Sequence, residues 1–266
     1  CSLNRFYKAL NISKQALHQT IDRRMKTDEQ TAYLITIIQQ IRFDHPTLSS
    51  RAMYHKILPE HIGRDKFEQL CYQWGFSVQK PVNYTRTTNS NGVIRFDNLV
   101  ENLAINQINQ VWSSDITYFE LNARFYYLTF ILDNYSRYIV GYSIALGLTT
   151  EQTTLPALKM ALKTRNHTLP VGTIFHSDGG GQYYDKNFLA LTKQYKFKNS
   201  MCEMAYQNGK AERINGVIKN NYLIHRNITT FTALVKEVDR SVSLYNNDKP
   251  HKALDYKTPL QVEKEF

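Results

Sequence analysis

Apolar residues recur at helical spacing in the first third of this chain. Four of them form one stripe that predicts a helix over 28–42, with Asp28 as its cap and His45-Pro46 as its end. The stripe consists of Leu34, Ile37, Ile38 and Ile41. Two further helices are predicted at 49–58 and 64–74. This part of the chain is therefore expected to be all-helical.

After about residue 109 the pattern changes to short apolar, aromatic and β-branched runs separated by polar turns. Three such runs predict consecutive strands at 111–119, 125–132 and 138–146. Helix, strand, helix, strand and helix are then predicted at about 150–165, 173–178, 185–195, 197–201 and 208–224. A strand meander followed by alternating helices and strands indicates an α/β domain.

The first 24 residues predict two short helices joined by a tight corner. Asn11 lies at the corner, because it tolerates a left-handed backbone, and Ser13 is the expected N-cap of the second helix. The inward face of that helix would be Ala16, Leu17 and Ile21. Its outward face is polar and basic, with Lys14, Gln15, His18, Arg23 and Arg24. This arrangement is typical of a helix-turn-helix that enters a major groove, although any helical hairpin has a similar pattern.

These patterns predict three regions. Residues 1–79 form a helical DNA-binding region, 80–108 a linker, and 109–266 an α/β domain with a C-terminal helix and tail. The linker is assigned because residues 80–98 lose all periodicity and could lie along DNA.

Charge favours a polyanionic partner. The net charge is +10, and the excess is shared: residues 1–110 carry 14 Lys+Arg against 9 Asp+Glu, and residues 111–266 carry 19 against 14. Phosphate neutralisation along both halves would explain that spread, whereas a generically soluble basic protein is the simpler alternative. No apolar run approaches the roughly 18 residues of a membrane span. Three scattered cysteines without a CxxC pair argue against disulfides and structural zinc, and favour a reducing cytoplasm.

Three acids stand out by their positions. Asp115 lies inside an apolar strand, Asp178 ends a strand just before three glycines, and Glu212 falls in the first turn of a helix. Each alone has an ordinary interpretation, as a strand-edge turn, an Asx-turn or a helix-terminus charge. Together, three hard oxygen ligands suit Mg²⁺ or Mn²⁺.

Other polar residues have structural interpretations that compete with functional ones. Asp133 is the carboxylate that competes best with the three acids for metal binding, but it is expected to fix a turn between two strands. Asp185 is expected to cap a helix. His251 is expected to be packed or to face DNA. Lys193, Lys196 and Lys198 alternate with aromatic residues and form either a phosphate-contacting patch or a solvated face.

Five ordered motifs carry a family resemblance. They are WSSDITY (112–118), LDNYSRYIVG (132–141), HSDGGGQY (176–183), NGKAERINGVIK (208–219) and YNNDKPHKAL (245–254) with Thr258-Pro259. They resemble the catalytic core of insertion-sequence transposases in the retroviral integrase superfamily, of the DDE, second-frame (OrfB) type. The resemblance implies a ribonuclease H-like fold, a mixed five-stranded sheet with flanking helices. Gly179 departs from the family pattern, because many relatives have arginine there.

The resemblance also implies roles for individual residues. Asp115, Asp178 and Glu212 match the catalytic, metal-binding acidic triad, which would hold two Mg²⁺ or Mn²⁺ ions. Lys219 would grip DNA near the cleaved end, unless it is a solvated helix charge. His176 and Gln182 would support the site or hold its loop by hydrogen bonds.

The function implied is that of a DNA transposase that cleaves the ends of a mobile element and transfers the 3′-hydroxyl end to another DNA strand. Its partners would be element ends and target DNA, a second copy of the chain on DNA, and an upstream-frame (OrfA-type) protein or fused segment. The location implied is the bacterial cytoplasm, on the nucleoid, without a membrane. Two alternatives remain: a ribonuclease H-like nuclease without joining activity, and a DNA-binding regulator derived from a transposase.

Overall fold

The computed structural model describes residues 7–9, 11–78, 96–202 and 208–266. The helices are α1 (Lys14–Asp44), α2 (Ser50–Ile57), α3 (Arg64–Gln73), α4 (Thr154–Thr164), α5 (Lys186–Gln194), α6 (Gly209–Asn221), α7 (Phe231–Asn247) and α8 (Pro259–Glu263). The strands are β1 (Val111–Leu121), β2 (Arg124–Asp133), β3 (Ile139–Ala145), β4 (Ile174–Ser177) and β5 (Lys198–Met201). None of the described helices combines the length and the apolar character that a membrane span needs.

The five described strands form one mixed sheet in the order β3-β2-β1-β4-β5. The first three strands are an antiparallel meander, whereas β4 pairs with β1 and β5 pairs with β4 in parallel. The central strand β1 therefore lies beside the carboxyl end of β4, with Ser114 opposite Ser177. This arrangement confirms the mixed five-stranded sheet with flanking helices that was predicted.

The sheet is covered on both faces because its inner strands alternate between two apolar clusters. On β2, Phe130 points into a cluster with α6 and α7, and its neighbour Ile131 points into a second cluster with α4 and α5. Both side chains are fully buried. Two packed layers around one sheet hold the strand ends rigidly, which is what a site at those ends requires.

Gly141 allows α4 to approach the sheet closely. It lies inside β3, opposite Ile131 on the neighbouring strand. A Cβ at this position would come within 2.3 Å of the Ala157 carbonyl oxygen and 2.8 Å of the Ala161 Cβ. The helix backbone occupies the space of the missing side chain, so the contact between α4 and β3 depends on glycine.

One helix replaces the two that were predicted between residues 13 and 42. The expected corner is confirmed, because Asn11 has φ 52° and the Ser13 Oγ accepts a hydrogen bond of 3.0 Å from the Ala16 amide. From Lys14, however, α1 runs unbroken to Asp44. The prediction of a separate, short recognition helix was therefore wrong. The segment around Thr27 contains no glycine or proline that would stop a helix, and the Thr27 hydroxyl bonds back to the Arg23 carbonyl at 2.8 Å.

The predicted inward face of this helix was also wrong in part. Ile21 is 43% exposed, and Ala16 is exposed as well. The five polar and basic residues assigned to DNA are all exposed: Lys14, Gln15, His18, Arg23 and Arg24. Their contact with DNA stays a prediction. Of the first short helix of the expected pair, residues 7–9 are described, and they are helical. Most of the 80–98 segment lies outside the described residues.

The described chain divides into compact units between Asp44 and His45, whereas the sequence predicted a boundary at residue 79. The buried His45 ring bonds to the Tyr222 hydroxyl at 2.9 Å and to the Asp248 carboxylate at 2.7 Å, and Lys56 on α2 forms an ion pair with the same carboxylate. These polar contacts attach the segment after α1 to the unit that contains the sheet. The predicted functional regions 1–79, 80–108 and 109–266 stay a prediction.

Asp133 fixes the turn after β2, as predicted. Its fully buried carboxylate accepts hydrogen bonds from the Asn109 amide at 2.6 Å and the Tyr135 amide at 2.9 Å. Arg165, at the end of α4, lies 3.6 Å from the same carboxylate and forms two bonds of 2.6 and 2.8 Å with Glu263. A single guanidinium therefore compensates two buried acids.

We expect Gly141→Ala to lower the free energy of unfolding by about 1–3 kcal/mol or more, because the added methyl group overpacks the contact with α4. Gly216→Ala is the matched control, since a Cβ there meets only the Asn220 side chain, at 3.9 Å. This second change lies within α6 and should raise stability by about 0.5–1 kcal/mol. Urea titrations of both variants measure the difference. Equal stability of the two variants would contradict the close approach.

We expect Arg165→Met to cost about 3–5 kcal/mol, because it leaves buried carboxylates without their cation. Arg51→Met provides the comparison: Arg51 pairs with Glu68 at 2.8 Å, but its side chain is 49% exposed. The urea midpoint of that variant should stay nearly unchanged. If both substitutions moved the urea midpoint equally, Arg165 would contribute no more to the free energy of unfolding than an exposed ion pair does.

Candidate active site

Asp115 lies on the central strand of the sheet and is half-buried. Its Oδ1 accepts a hydrogen bond of 2.9 Å from the Ile116 amide, and its Oδ2 accepts one of 2.8 Å from the Asn215 side chain on α6. Both carboxylate oxygens are therefore oriented by the protein. Asn215 was not among the site residues predicted from the sequence, although its spacing of three residues from Glu212 places both on one helical face.

Asp178 follows β4 directly and lies beside Asp115, because β4 runs parallel to β1 and pairs Ser177 with Ser114. The chain turns away at Gly179, which has φ +82°. A Cβ there would lie 2.1 Å from the Met201 methyl carbon, so glycine is required by conformation and by space. The Gly180 amide then donates a hydrogen bond of 3.0 Å to the Asp178 Oδ1. The turn thus holds the carboxylate at the strand end.

Glu212 is carried by the helix that packs along β1. Residues 208, 212, 215 and 219 share one face of that helix, since they are separated by four, three and four positions. Three of them bond to β1: Asn208 Nδ2 to the Ser114 carbonyl at 3.0 Å, Asn215 Nδ2 to Asp115 at 2.8 Å, and Lys219 Nζ to the Thr117 hydroxyl at 3.1 Å. Glu212 lies between them on the same face, exposed to solvent. It therefore faces the strand that carries Asp115.

The charges of two of the acids act on the third, Asp115. Burial raises the pKa of Asp115 to about 7, and the negative charges of Asp178 and Glu212 add to that increase. The pKa of Asp178 is also raised, because protein atoms crowd around its carboxylate. The residue as a whole is nevertheless exposed to solvent. All three acids, after burial itself, contribute to raising the pKa of the Cys202 thiol to about 11. The negative charges of Asp178 and Glu212 thus act on the Asp115 carboxylate, which they repel.

The three acids have the donor chemistry of a site for a hard divalent cation. Its ligands would be carboxylate oxygens, and the repulsion between them is the effect that a cation would relieve. Within the described ranges, no three His, Cys, Asp or Glu side chains are gathered closely enough to ligate one ion as they stand. The Asp115 and Asp178 oxygens are held instead by Asn215 and by backbone amides. The residues fit a metal site in kind and in charge, and the assignment of ligands stays a prediction.

The other predicted site residues have mainly structural contacts. His176 Nδ1 lies 3.0 Å from the Ser200 hydroxyl and so joins β4 to β5. The Gln182 side chain donates to the Leu148 carbonyl at 3.0 Å, which ties the loop after Asp178 to the loop before α4. Lys219 is half-buried, with its ammonium group 5.0 Å from the centre of the Tyr118 ring. Burial lowers the pKa of Lys219.

Two structural interpretations from the sequence are confirmed, those of Asp185 and His251, whereas the lysine patch stays open. The Asp185 Oδ1 caps α5 by accepting from the Asn187 amide at 2.7 Å. His251 is packed edge-on against the Tyr245 ring, with 4.6 Å between ring centres. In the lysine patch, the three lysines are exposed, whereas Phe197 between them is buried. Contact of those lysines with phosphates stays a prediction.

Comparisons with known proteins agree with this geometry. Residues 106–206 match a family model described as an integrase core domain, and residues 193–259 match a second model of the same description. The transposase for insertion sequence element IS629 of Shigella sonnei is 29% identical, over 92% of this chain and 83% of the relative. An uncharacterized 31 kDa protein of insertion element IS600 of the same organism is 27% identical, over 92% and 89%.

Two further matches extend the comparison. The transposase for IS904 of Lactococcus lactis subsp. lactis is 30% identical, over 60% of this chain and 66% of the relative. Among solved structures, the HTLV-2 integrase catalytic core domain in complex with magnesium gives a TM-score of 0.47 at 23% identity, over 58% of this chain and 95% of that one. The two family models together span residues 106–259, more than half of the chain. The chain therefore belongs to the integrase-core family, as a DDE transposase of the insertion-sequence type and a polynucleotidyl transferase.

Proposed function

We propose that this transposase cleaves DNA at the ends of its mobile element and joins the freed 3′-hydroxyl to another DNA strand. The observation that supports the proposal is that Asp178, after β4, and Glu212, at the start of α6, lie near enough to Asp115 on β1 for their charges to raise its pKa. Acids so far apart in the chain would have no reason to lie near one another, with repelling charges, if each had only a local structural role.

Both steps are in-line displacements at phosphorus. In cleavage, the oxygen of a water molecule forms a bond to phosphorus while the bond to the 3′-oxygen breaks, and that oxygen leaves as a hydroxyl after gaining a proton. In joining, the oxygen of the 3′-hydroxyl loses its proton and forms the new phosphorus–oxygen bond, while the bond to a bridging oxygen of the target strand breaks and that oxygen leaves as a hydroxyl after gaining a proton. The three acids would hold two divalent ions, Mg²⁺ or Mn²⁺, which supply activation of the attacking oxygen and stabilisation of the leaving one.

The surrounding residues position these acids. Asn215 and the Ile116 amide hold the two oxygens of Asp115 in one orientation, and the Gly180 amide does the same for one oxygen of Asp178. Lys219, two helical turns after Glu212 on the same face, would contact a DNA phosphate near the cleaved end. Its half-buried position beside Thr117 would restrict the number of orientations that the ammonium group can adopt.

The partners of the reaction belong to the same proposal. Element ends and target DNA would both be substrates, and two or more copies of the chain would assemble on them. The exposed face of α1 with Lys14, Gln15, His18, Arg23 and Arg24 would contact DNA, and an upstream-frame protein or fused segment would assist in recognising the ends. The reaction would take place in the bacterial cytoplasm, on nucleoid DNA.

We expect Asp178→Asn to reduce cleavage and joining by at least about 10³-fold, because the variant loses a charged ligand while keeping the shape of the side chain. DNA affinity should change little. Glu120→Gln is the control, since Glu120 is an exposed acid on the same strand as Asp115. The assay uses a labelled, pre-cut element end with a supercoiled plasmid and Mg²⁺, and chelation of the metal should abolish both products.

The same assay separates the alternatives. Joined product identifies a transposase, whereas nicking without joining would identify a nuclease. Binding without any metal-dependent product would indicate a regulator. Strand transfer by Asp178→Asn at the level of Glu120→Gln would refute the role assigned to the acids.

A further inference from the structure

Four cationic side chains converge next to the acids but on a different side of α6. Arg137 lies in the turn between β2 and β3, Lys210 and Arg213 belong to the start of α6, and Lys249 follows the end of α7. We call these four residues the cationic cluster. Lys210, Arg137 and Lys249 are partly buried, and Arg213 is exposed.

Specific hydrogen bonds hold the elements of the cluster together. The side chain of Asn246, in the last turn of α7, accepts a hydrogen bond of 2.9 Å from the Ile139 amide and donates one of 3.0 Å to the Ile139 carbonyl. This pair of bonds attaches the end of α7 to the start of β3, two residues from Arg137. Lys210 donates a hydrogen bond of 3.3 Å to the Asn134 carbonyl, which attaches the start of α6 to the turn before Arg137. The proximity of the cations is therefore part of the fold.

The negative charge around the cluster is insufficient to balance it. None of the four cations forms an ion pair with another described residue. Asp133 is the one described carboxylate whose charge acts on Arg137 and Lys210. Its oxygens, however, already accept from the Asn109 and Tyr135 amides, and its nearest cation is Arg165 at 3.6 Å.

The cations consequently repel one another, and partial burial of three of them weakens the screening of their charges by water. Burial lowers the pKa of Lys249 to about 8, and the positive charge of Arg213 lowers it further. Burial also lowers the pKa of Arg137, to which Arg213 again contributes. His251 adds no charge near neutral pH, because burial and these same cations lower its pKa to about 3. Such an arrangement costs stability unless an anion completes it.

We propose that the cationic cluster is a binding site for a phosphate group of the DNA backbone. The inference rests on the proposed function, because it assumes that DNA lies beside the three acids. Lys210 and Arg213 flank Glu212 in sequence, so a phosphate held here would position the strand relative to the acids. The two guanidinium groups offer paired donors that match phosphate oxygens, and the lysines add charge without strict geometry.

Inorganic phosphate is the first probe. We expect it to raise the melting temperature of the wild-type protein more than sodium chloride of equal ionic strength does. Lys249→Gln should lose most of that increase, and without phosphate it should melt at the wild-type temperature or above, because one repelling charge is gone. A purely structural lysine would behave differently, since its removal would lower the melting temperature in both buffers.

DNA is the second probe. The slope of log affinity against log salt concentration should become shallower by about 0.7–0.9 for each phosphate that the variant no longer neutralises. Lys249→Gln and Arg137→Gln should each show that change on an element-end duplex, whereas Lys249→Arg should keep the wild-type slope. Lys236→Gln is the matched control, because Lys236 is an exposed lysine on α7, outside the cluster.

The outcomes distinguish this proposal from the one on catalysis. If wild-type protein joins DNA but Lys249→Gln keeps both its salt slope and its response to phosphate, the cluster is not a phosphate site and the catalytic proposal stands. If phosphate stabilises the protein through Lys249 but no cleavage or joining is detected, the phosphate site stands and the catalytic proposal fails. A lower melting temperature of Lys249→Gln without phosphate, with an unchanged salt slope, would overturn the inference in favour of a structural role.

Discussion

The contact between one face of α6 and strand β1 is the constraint on which the site depends. Asn208, Asn215 and Lys219 bond to three nearly consecutive positions of the strand, and these bonds set both the height and the rotation of the helix. The neighbouring face of α6, which carries Ile214 and Ile218, is apolar and buried against β2 and α7. A helix fixed on two sides cannot rotate, so Glu212 is directed towards Asp115. The acids are near one another because of this packing and not because of any attraction between them.

Charges of equal sign are concentrated twice in this small region. Burial and the negative charges of Asp178 and Glu212 raise the pKa of Asp115. Nearby, at the start of α6, the cations of the cationic cluster form no ion pair with a described carboxylate and lower one another's pKa. Each concentration costs folding free energy by itself. Divalent cations would relieve the first and a DNA phosphate the second. The two sites together thus complement a nucleic-acid strand accompanied by metal ions, which is the substrate expected of an integrase-core transposase.

The helical amino-terminal part shows how continuity can override a local pattern. Two apolar stripes with different faces predicted two helices, yet no residue between 24 and 28 is able to end one, and α1 passes through. His45 and Lys56 then attach the following segment to Asp248, some 200 residues later in the chain. These polar contacts join residues far apart in the chain and follow no periodic pattern in the sequence. It could not have been predicted from spacing alone.

Much of the catalytic unit was determined by the sequence itself. Period-two apolar runs defined β1 to β3, helical spacing defined α4 to α6, and glycines marked the turn after Asp178, because these signals are local and backbone geometry imposes them directly. The three acids were identified from their unusual surroundings and from motif order. Tertiary structure alone decided what surrounds them. Asn215 orients Asp115 across 100 residues, and the cationic cluster joins a strand turn, one helix start and one helix end. Such groupings follow from how the helices pack on the sheet, and packing depends on long-range contacts that leave no periodic trace in the chain.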